Sequence, residues 1–180
     1  SDPQLGGYFE GGKHLSEVTA DDAIEFLELA SDRQPFFMYV AFNAPHDPRQ
    51  SPRSFLDRYP LATMKLPQSY QPEYPHDISV RDVRDERLAP YPRSEWAINT
   101  HRREYYAIIS HLDAQIGRIL DWLDSSSLRD TTYVFYTSDQ GLACGHHGLM
   151  GKQNMYDHSV RVPLIIRGPG IEKGQHIQAP

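Results

Sequence analysis

The sequence predicts an α/β domain in which helices flank a mostly parallel sheet. Three stretches have the apolar, β-branched and aromatic content of strands, at 36–42, 133–138 and 162–167. A long helix is predicted between the first two stretches and a short one, at about 153–160, between the last two. Strands separated by helices are usually joined by crossover connections, which make neighbouring strands parallel.

Two longer helices are predicted from local signals. Thr19 is the expected N-cap of a helix at about 20–31, whose apolar residues share one face and which cannot continue through Pro35. Ser94 is the expected N-cap of a helix at about 95–124, where apolar residues repeat at spacings of three and four. The strand at 36–42 follows the first helix directly. Its continuous apolar character predicts burial on both faces.

The composition is that of a folded domain. The 180 residues, 39% of them hydrophobic, suffice for one domain with a sizeable core. The net charge of −6, with scattered Lys and Arg, argues against a nucleic-acid groove. The longest apolar run, Phe36 to Phe42, is too short to cross a bilayer. The first residues show no signal peptide, and the single cysteine, Cys144, leaves the redox compartment open.

The chain divides into two parts of different character. Residues 1–18 are polar and glycine-rich, and we expect them to be a joining segment. Residues 19–180 are expected to form part of one α/β domain. Within it, nine of the fourteen prolines lie in the 44–92 stretch, which predicts a long loop region rather than helices or strands.

Residues able to bind anions or metals follow two of the predicted strands. His46 lies on a proline-flanked turn after the first strand. Asp139 and Gln140 follow the second strand directly, and His147 and Lys152 come later in a glycine-rich loop. Ligands of open α/β sheets bind beyond the carboxyl ends of the strands. If the two strands are parallel neighbours, these five residues form one pocket.

Asp139 and Gln140 are candidate metal ligands. Both offer hard oxygen donors, which suit Ca²⁺ or Mg²⁺ better than a softer metal. A plain turn after a strand explains the same residues, because Ser-Asp-x-Gly is ordinary turn chemistry. Calcium takes about 6–8 oxygen ligands, so further ligands would have to come from elsewhere.

The other candidates also have structural explanations. His46 could donate to an anionic oxygen or act as an acid, or it could simply be hydrogen-bonded in its loop. Lys152 could neutralise an oxyanion or be a solvated surface lysine. His146 and His147 are adjacent, so one of them is expected to face the site, and we favour His147. Cys144 is expected to be a buried cysteine rather than a nucleophile.

Three stretches resemble one known family. SDQGLACGHHGLMGKQNMYDHSVRVPLIIRGPG, at 138–170, resembles the C-terminal metal-and-sulfate motif of the type I sulfatases, in the alkaline phosphatase superfamily. PFFMYVAFNAPHDP, at 35–48, resembles the strand and Pro-His loop of that family, and YYAIISHLDAQIGRILDWL, at 105–123, its long helix. The resemblance covers nearly the whole chain from about residue 15, and it is strongest to bacterial carbohydrate sulfatases.

The resemblance implies an alkaline-phosphatase-like fold and a role for each candidate. Asp139 and Gln140 would be Ca²⁺ ligands, with Mg²⁺ less favoured, although Asn or His is more frequent at the second position. Lys152 and His46 would contact the sulfate group. His147 would lie near the leaving-group oxygen. The substrate would be a sulfated carbohydrate or another sulfated small molecule, and the family is periplasmic or secreted.

The chain departs from the family at the nucleophile. Sulfatases use a formylglycine made from Cys or Ser in a Cys/Ser-x-Pro/Ala-x-Arg motif, and this sequence has none. The paired N-terminal aspartates of the calcium site are also missing. We therefore expect a middle portion of a sulfatase, which contributes the calcium and sulfate part of the site and is inactive alone. The missing remainder of the domain is an expected partner.

Two other functions are compatible with the same residues. A phosphoesterase or phosphonate hydrolase of the superfamily would use a similar cation cluster. A non-catalytic remnant that binds an anion or a partner protein would need no nucleophile.

Overall fold

The computed structural model describes residues 12–30, 34–76 and 79–177. Their helices and strands are, in chain order, α1 (Leu15–Leu29), α2 (Arg53–Leu56), α3 (Glu95–Ser125), β1 (Val134–Thr137), α4 (Asp157–Val160) and β2 (Leu164–Arg167). Short 3₁₀ helices lie at Leu61–Thr63, Ser79–Asp82, Arg84–Leu88 and Arg129–Thr131. In the part of the chain described here, no helix has the length and apolarity needed to cross a membrane.

Helix α1 begins earlier than the sequence predicts. His14 is the N-cap, and its Nδ1 accepts the Ser16 N–H at 3.1 Å. The ring is held because Nε2 donates to the Gln50 carbonyl at 2.6 Å. The expected cap, Thr19, lies inside the helix and donates its hydroxyl to the Leu15 carbonyl. The cap is therefore set by a tertiary contact. Four residues of the expected joining segment, 15–18, belong to the first turns of α1, and residues 1–11 lie outside the described residues.

Helix α3 confirms its prediction closely. The Ser94 hydroxyl accepts the Ala97 N–H at 3.2 Å, as an N-cap does. The helix spans 31 residues, or about 46 Å at 1.5 Å per residue. It packs against α1, and the buried contact is formed by Ala20, Ala23, Leu27 and Ile119. The 3.6-residue pattern was sufficient to place this helix because its cap and its apolar face are both local.

The stretch 36–42 is extended but is paired with neither strand. Its side chains alternate: Phe36, Met38, Val40 and Phe42 pack against the α1–α3 core. Phe37 and Tyr39 on the opposite face are 87% and 82% exposed. The prediction of burial on both faces is therefore wrong for the described structure, in which only one layer of helices is present to cover the stretch.

The described sheet has two strands, and they are antiparallel. Val134 pairs with Arg167 and Thr137 pairs with Leu164. The chain between the two strands leaves β1 at its C-terminal end and returns to the same end, so β2 runs in the opposite direction. At that end the Gly141 N–H donates to the Ser159 carbonyl at 2.9 Å. Helix α4 in this connection is shorter than the expected 153–160. A mostly parallel sheet is not formed by the described residues and stays a prediction.

The proline-rich 44–92 region is anchored on α3. The Tyr59 hydroxyl lies 2.6 Å from the Ser110 hydroxyl, and Arg103 donates to the Tyr59 carbonyl at 2.8 Å. His46 lies between cis peptide bonds at Pro45 and Pro48. The region is thus fixed against the core, and it reaches the loop that follows β1.

Candidate functional site

The loop after β1 folds back on itself as a short hairpin. The Ala143 N–H donates to the Gly151 carbonyl at 3.0 Å, and the Gly145 N–H donates to the Leu149 carbonyl at 2.8 Å. Because Ala143 and Gly151 are paired, Lys152 leaves the hairpin beside the residues that follow β1. We call residues 143–151 the hairpin loop.

Close packing requires glycine at the tip of the hairpin loop. Gly148 has φ +75°, and a Cβ there would lie 2.6 Å from the Glu73 carbonyl carbon and 2.7 Å from the Tyr74 nitrogen. His147 also has a left-handed backbone, with φ 56°, and its N–H donates to the Ser69 carbonyl at 2.8 Å. Left-handed residues other than glycine are uncommon, so the loop is held in this shape by the 69–74 segment.

Three of the predicted site residues line one cavity of about 510 Å³, which we call the Lys152 cavity. Its lining consists of Asp139, Gln140, Lys152, Gln153, Asn154, Met155, Ser159 and Val160. The Asp139 carboxylate is exposed, and its Oδ1 accepts the Gln140 N–H at 2.9 Å. Among the described residues neither Asp139 nor Lys152 forms an ion pair. A carboxylate, an amide oxygen and an ammonium group therefore face the same space with charges that are not neutralised by a partner.

His147 lies in a neighbouring cavity of about 400 Å³, the His147 cavity. Its lining consists of His146, His147, Met155, Tyr156, Asp157 and His158. The His147 ring is stacked on Tyr156, with ring centroids 4.3 Å apart. His146 lines the same cavity, and its Nδ1 lies 2.8 Å from the Ser69 hydroxyl. Met155 lines both cavities, so the two spaces adjoin.

Two of the imidazoles in the His147 cavity are neutral at neutral pH. Burial, together with the charges of His146 and His147, lowers the pKa of His158 to about 4. Burial is also the main cause that lowers the pKa of His146. Lys152, and neither of these two rings, therefore carries a positive charge beside the cavities.

His46 lines neither cavity, and its contacts lead towards the Lys152 cavity through a chain of polar groups. Its Nδ1 donates to the Asp47 carbonyl at 3.0 Å, and its Nε2 accepts from Arg84 Nη2 at 3.4 Å. Arg84 Nε donates to Asp85 at 2.8 Å, and Asp85 accepts from the Gln153 amide at 2.7 Å.

Asp85 is ionised in this setting. Burial raises its pKa, but hydrogen bonds from Arg84 and Gln153, with the charges of Arg84 and Lys152, lower the pKa by more. The pKa therefore lies below its ordinary value. Asp85 is a negative group within the electrostatic range of the Lys152 ammonium.

Sequence reasoning missed a buried ion pair behind the hairpin loop. The Glu86 side chain is 2% exposed and accepts the N–H groups of Met150 at 2.9 Å and Gly151 at 2.8 Å. Arg93, with a fully buried side chain, pairs with Glu86 at 2.5 Å. Both residues come from the aperiodic 44–92 region and its edge. Charged residues in such a stretch are normally exposed, so the sequence carried no signal for this pair.

The described residues offer the type of ligand that a calcium site needs, but too few of them. Asp139 and Gln140 supply the hard oxygens that Ca²⁺ prefers. Within residues 12–30, 34–76 and 79–177, no group of three or more His, Cys, Asp or Glu side chains is arranged to hold a metal ion. The two residues are therefore part of a donor set that normally takes about 6–8 oxygens.

Cys144 is buried, as predicted. It is 3% exposed with φ 43°, and burial raises the pKa of its thiol. A buried thiol held in its protonated form is a poor nucleophile. On the surface, Asp157 and Arg161 form an ion pair at 3.3 Å.

The described helices and strands define this chain as part of a domain of mixed α and β structure. Residues 1–180 match the Sulfatase family. The chain is 34% identical over 185 residues to the choline-sulfatase of Rhizobium meliloti (strain 1021), covering 92% of this chain and 36% of that protein. It therefore belongs to the sulfatase family.

Solved structures agree with this assignment. A putative sulfatase from Bacteroides fragilis superposes with a TM-score of 0.64 at 30% identity, covering 86% of this chain and 31% of that one. A phosphonate monoester hydrolase from Silicibacter pomeroyi superposes with a TM-score of 0.71 at 25% identity, covering 90% and 35%. The chain spans about a third of the length of the first curated relatives it matches, 30–36%.

Proposed function

We propose that this chain supplies the sulfate-binding and calcium-binding part of a sulfuric ester hydrolase. The observation that carries the proposal is the Lys152 cavity, which combines Asp139 and Gln140 with a lysine that has no described ion-pair partner. Oxygen ligands for a cation beside an ammonium group suit a tetrahedral oxyanion that is bound by both charges.

Each candidate residue has a role in this proposal. Lys152 binds a sulfuryl oxygen as a point charge, and Asp139 and Gln140 hold Ca²⁺. A bound calcium ion polarises the sulfuryl oxygens. His147 lies near the leaving-group oxygen. His46 donates to the sulfate from Nε2, which must then carry a proton, so the contact that Nε2 now accepts from Arg84 is given up when the anion binds.

The nucleophile is proposed to come from a segment that this sequence does not contain. No Cys/Ser-x-Pro/Ala-x-Arg motif occurs in the 180 residues, and Cys144 is buried. The chain alone is therefore expected to bind sulfate without hydrolysing sulfate esters. The proposed substrates of the whole enzyme are sulfated carbohydrates or other sulfated small molecules.

The proposal extends to the sheet. Phe37 and Tyr39 present an exposed apolar face on an extended segment that has no strand partner among the described residues. In the whole domain we propose that 36–42 and β1 are strands of a larger, mostly parallel sheet. The remainder of a sulfatase domain would cover this face.

Calorimetric titration of the 180-residue chain with sulfate, with and without Ca²⁺, tests the proposal. Lys152→Ala should weaken sulfate binding by about tenfold, the value of one charge-assisted hydrogen bond. Lys65→Ala is the control, because Lys65 is an exposed lysine outside both cavities, whereas Lys152 is half-buried. Equal sulfate affinity in the two variants would remove the support for Lys152. Failure of Ca²⁺ to bind or stabilise even a full-length version of the protein would favour a non-catalytic remnant.

A phosphonate or phosphate ester hydrolase is the second candidate. The TM-score of 0.71 to a phosphonate monoester hydrolase is the observation that favours it. Titration of the chain with methylphosphonate beside sulfate distinguishes the two proposals. Tighter binding of the phosphonate at equal ionic strength would favour this second candidate.

A further inference from the structure

Two acidic residues from the proline-rich region make direct contact with the segment that carries Lys152. Asp85 and Glu86 lie on the 3₁₀ helix Arg84–Leu88, and their side chains are 3% and 2% exposed. Glu86 binds the hairpin loop on one side of Lys152, and Asp85 binds Gln153 on the other side. Buried carboxylates therefore bind the residues on both sides of Lys152.

Glu86 fixes the backbone that precedes Lys152. Its Oε1 accepts the Gly151 N–H and its Oε2 accepts the Met150 N–H. The approach is close, since a Cβ at Gly151 would lie 3.0 Å from Glu86 Oε1 and 2.9 Å from Asp85 Cβ. Each carboxylate oxygen is thus committed to one amide of the hairpin loop.

Arg93 completes the arrangement. It pairs with Glu86, donates from Nη1 to the Glu86 carbonyl at 2.8 Å, and donates from Nε to the Gly148 carbonyl at 3.1 Å. Its guanidinium also lies over the Tyr91 ring, 3.7 Å from the ring centroid. Both ends of the pair therefore reach the hairpin loop, one through N–H groups and one through a carbonyl.

We propose that Asp85 and Glu86, together with Arg93, are positioning residues that fix the Lys152 ammonium for anion binding. The inference rests on the proposed function of Lys152. A buried ion pair adds little net stability compared with apolar residues of the same size, whereas its directional hydrogen bonds specify one geometry. Asp85 adds a negative charge that attracts the Lys152 ammonium.

Asp85→Asn tests the role of Asp85, because the amide keeps the size of the side chain and loses its charge. Sulfate affinity of the chain should fall by about five- to tenfold, while the thermal midpoint stays close to that of the wild type. Arg87→Ala is the control, since Arg87 is an exposed residue on the same 3₁₀ helix. Wild-type sulfate affinity in Asp85→Asn would overturn the role of Asp85.

A test of the role of Glu86 needs a variant that still folds. Glu86→Gln alone leaves the buried Arg93 without a counter-ion, so the double variant Glu86→Gln, Arg93→Met removes both charges together. Amide hydrogen exchange at Met150 and Gly151 should become about tenfold faster or more in the double variant, and sulfate affinity should fall. Exchange at Ala107 and Ile108 in α3 should not change.

The outcomes separate this inference from the proposed function. If the wild-type chain binds no sulfate, the proposed function fails, and hydrogen exchange still decides whether Glu86 and Arg93 hold the loop. If sulfate binds but the double variant matches the wild type in exchange and affinity, the positioning role is refuted. Restored exchange protection in Glu86→Asp would support a requirement for a carboxylate at this position.

Discussion

Burial keeps four of the described histidines neutral at neutral pH. For each of His101, His111, His146 and His158, desolvation is the first cause of a lowered pKa. The tautomer of His101 follows from its contacts: Nδ1 accepts from Arg49 at 2.9 Å, so Nε2 carries the proton and donates to the Leu88 carbonyl at 3.0 Å. These rings serve as neutral hydrogen-bonding and packing groups.

The stability of the chain should depend on pH through these histidines. His158 has a folded pKa of about 4 against an ordinary value of 6.5, so the unfolded chain binds more protons between these values. Stability is therefore complete above about pH 6.5 and falls as the pH drops towards 4. Urea unfolding at pH values from 4.5 to 7 measures the free energy of unfolding. We expect this free energy to change less steeply with pH in His158→Gln than in the wild type. The exposed His176→Gln should keep the wild-type slope, and a shallower slope in both would contradict the assignment.

A comparison of alanine substitutions at Gly148 and Gly170 distinguishes the cost of backbone strain from the cost of close packing. Both have φ near +75°, but a Cβ at Gly148 meets the 73–74 backbone, whereas nothing lies within 4 Å at Gly170. Gly170→Ala should cost about 1 kcal/mol from its left-handed backbone alone. Gly148→Ala should cost clearly more, and chemical denaturation of both variants measures the difference. Equal costs would mean that the hairpin tip does not pack on the 73–74 segment as described.

Some contacts between residues of the candidate site could be predicted from the sequence, and others could not. Asp139, Gln140 and Lys152 could be predicted as neighbours because a strand end and a glycine-rich loop bring them together locally. The ion pair of Glu86 and Arg93 could not, because Glu86 contacts Gly151 across 65 residues of sequence and no periodic pattern marks it.

At the scale of elements, the two longer helices differ in how their starts are encoded. The start of α3 is local, since Ser94 caps the Ala97 N–H. The start of α1 depends on Gln50, which orients His14 from 36 residues away. This contact has no sequence signature near the helix, which explains why Thr19 was the better local candidate.

Ser94→Ala should destabilise the chain by about 1 kcal/mol through loss of the N-cap. Ser54→Ala is a suitable control, because Ser54 is exposed on α2. Thermal or urea unfolding measures both variants. A negligible cost for Ser94→Ala would show that packing against α1 alone sets the start of α3.

At the scale of the whole molecule, several large apolar side chains are exposed on the extended segments. Phe37, Tyr39, Phe135 and Leu164 are all more than half exposed, although they lie on extended segments. The sequence predicted extended segments correctly at β1 and β2. It could not predict their pairing, because the register and direction of a sheet depend on which strands are adjacent.

The two faces of the 36–42 stretch should respond differently to substitution. Phe37→Ser with Tyr39→Ser should change the free energy of unfolding by less than about 0.5 kcal/mol, because both side chains are already exposed. Met38→Ala, on the face packed against the α1–α3 core, should cost at least about 1 kcal/mol. Sedimentation should show less self-association for the double variant. Strong destabilisation by the double variant would mean that this face is covered in solution.

Met155 lines both the Lys152 cavity and the His147 cavity, and it is 86% exposed. Methionine is flexible and adapts to irregular neighbours, so the boundary between the two cavities can change shape without moving the backbone. A substitution at position 155 would thus alter the lining of both cavities at once.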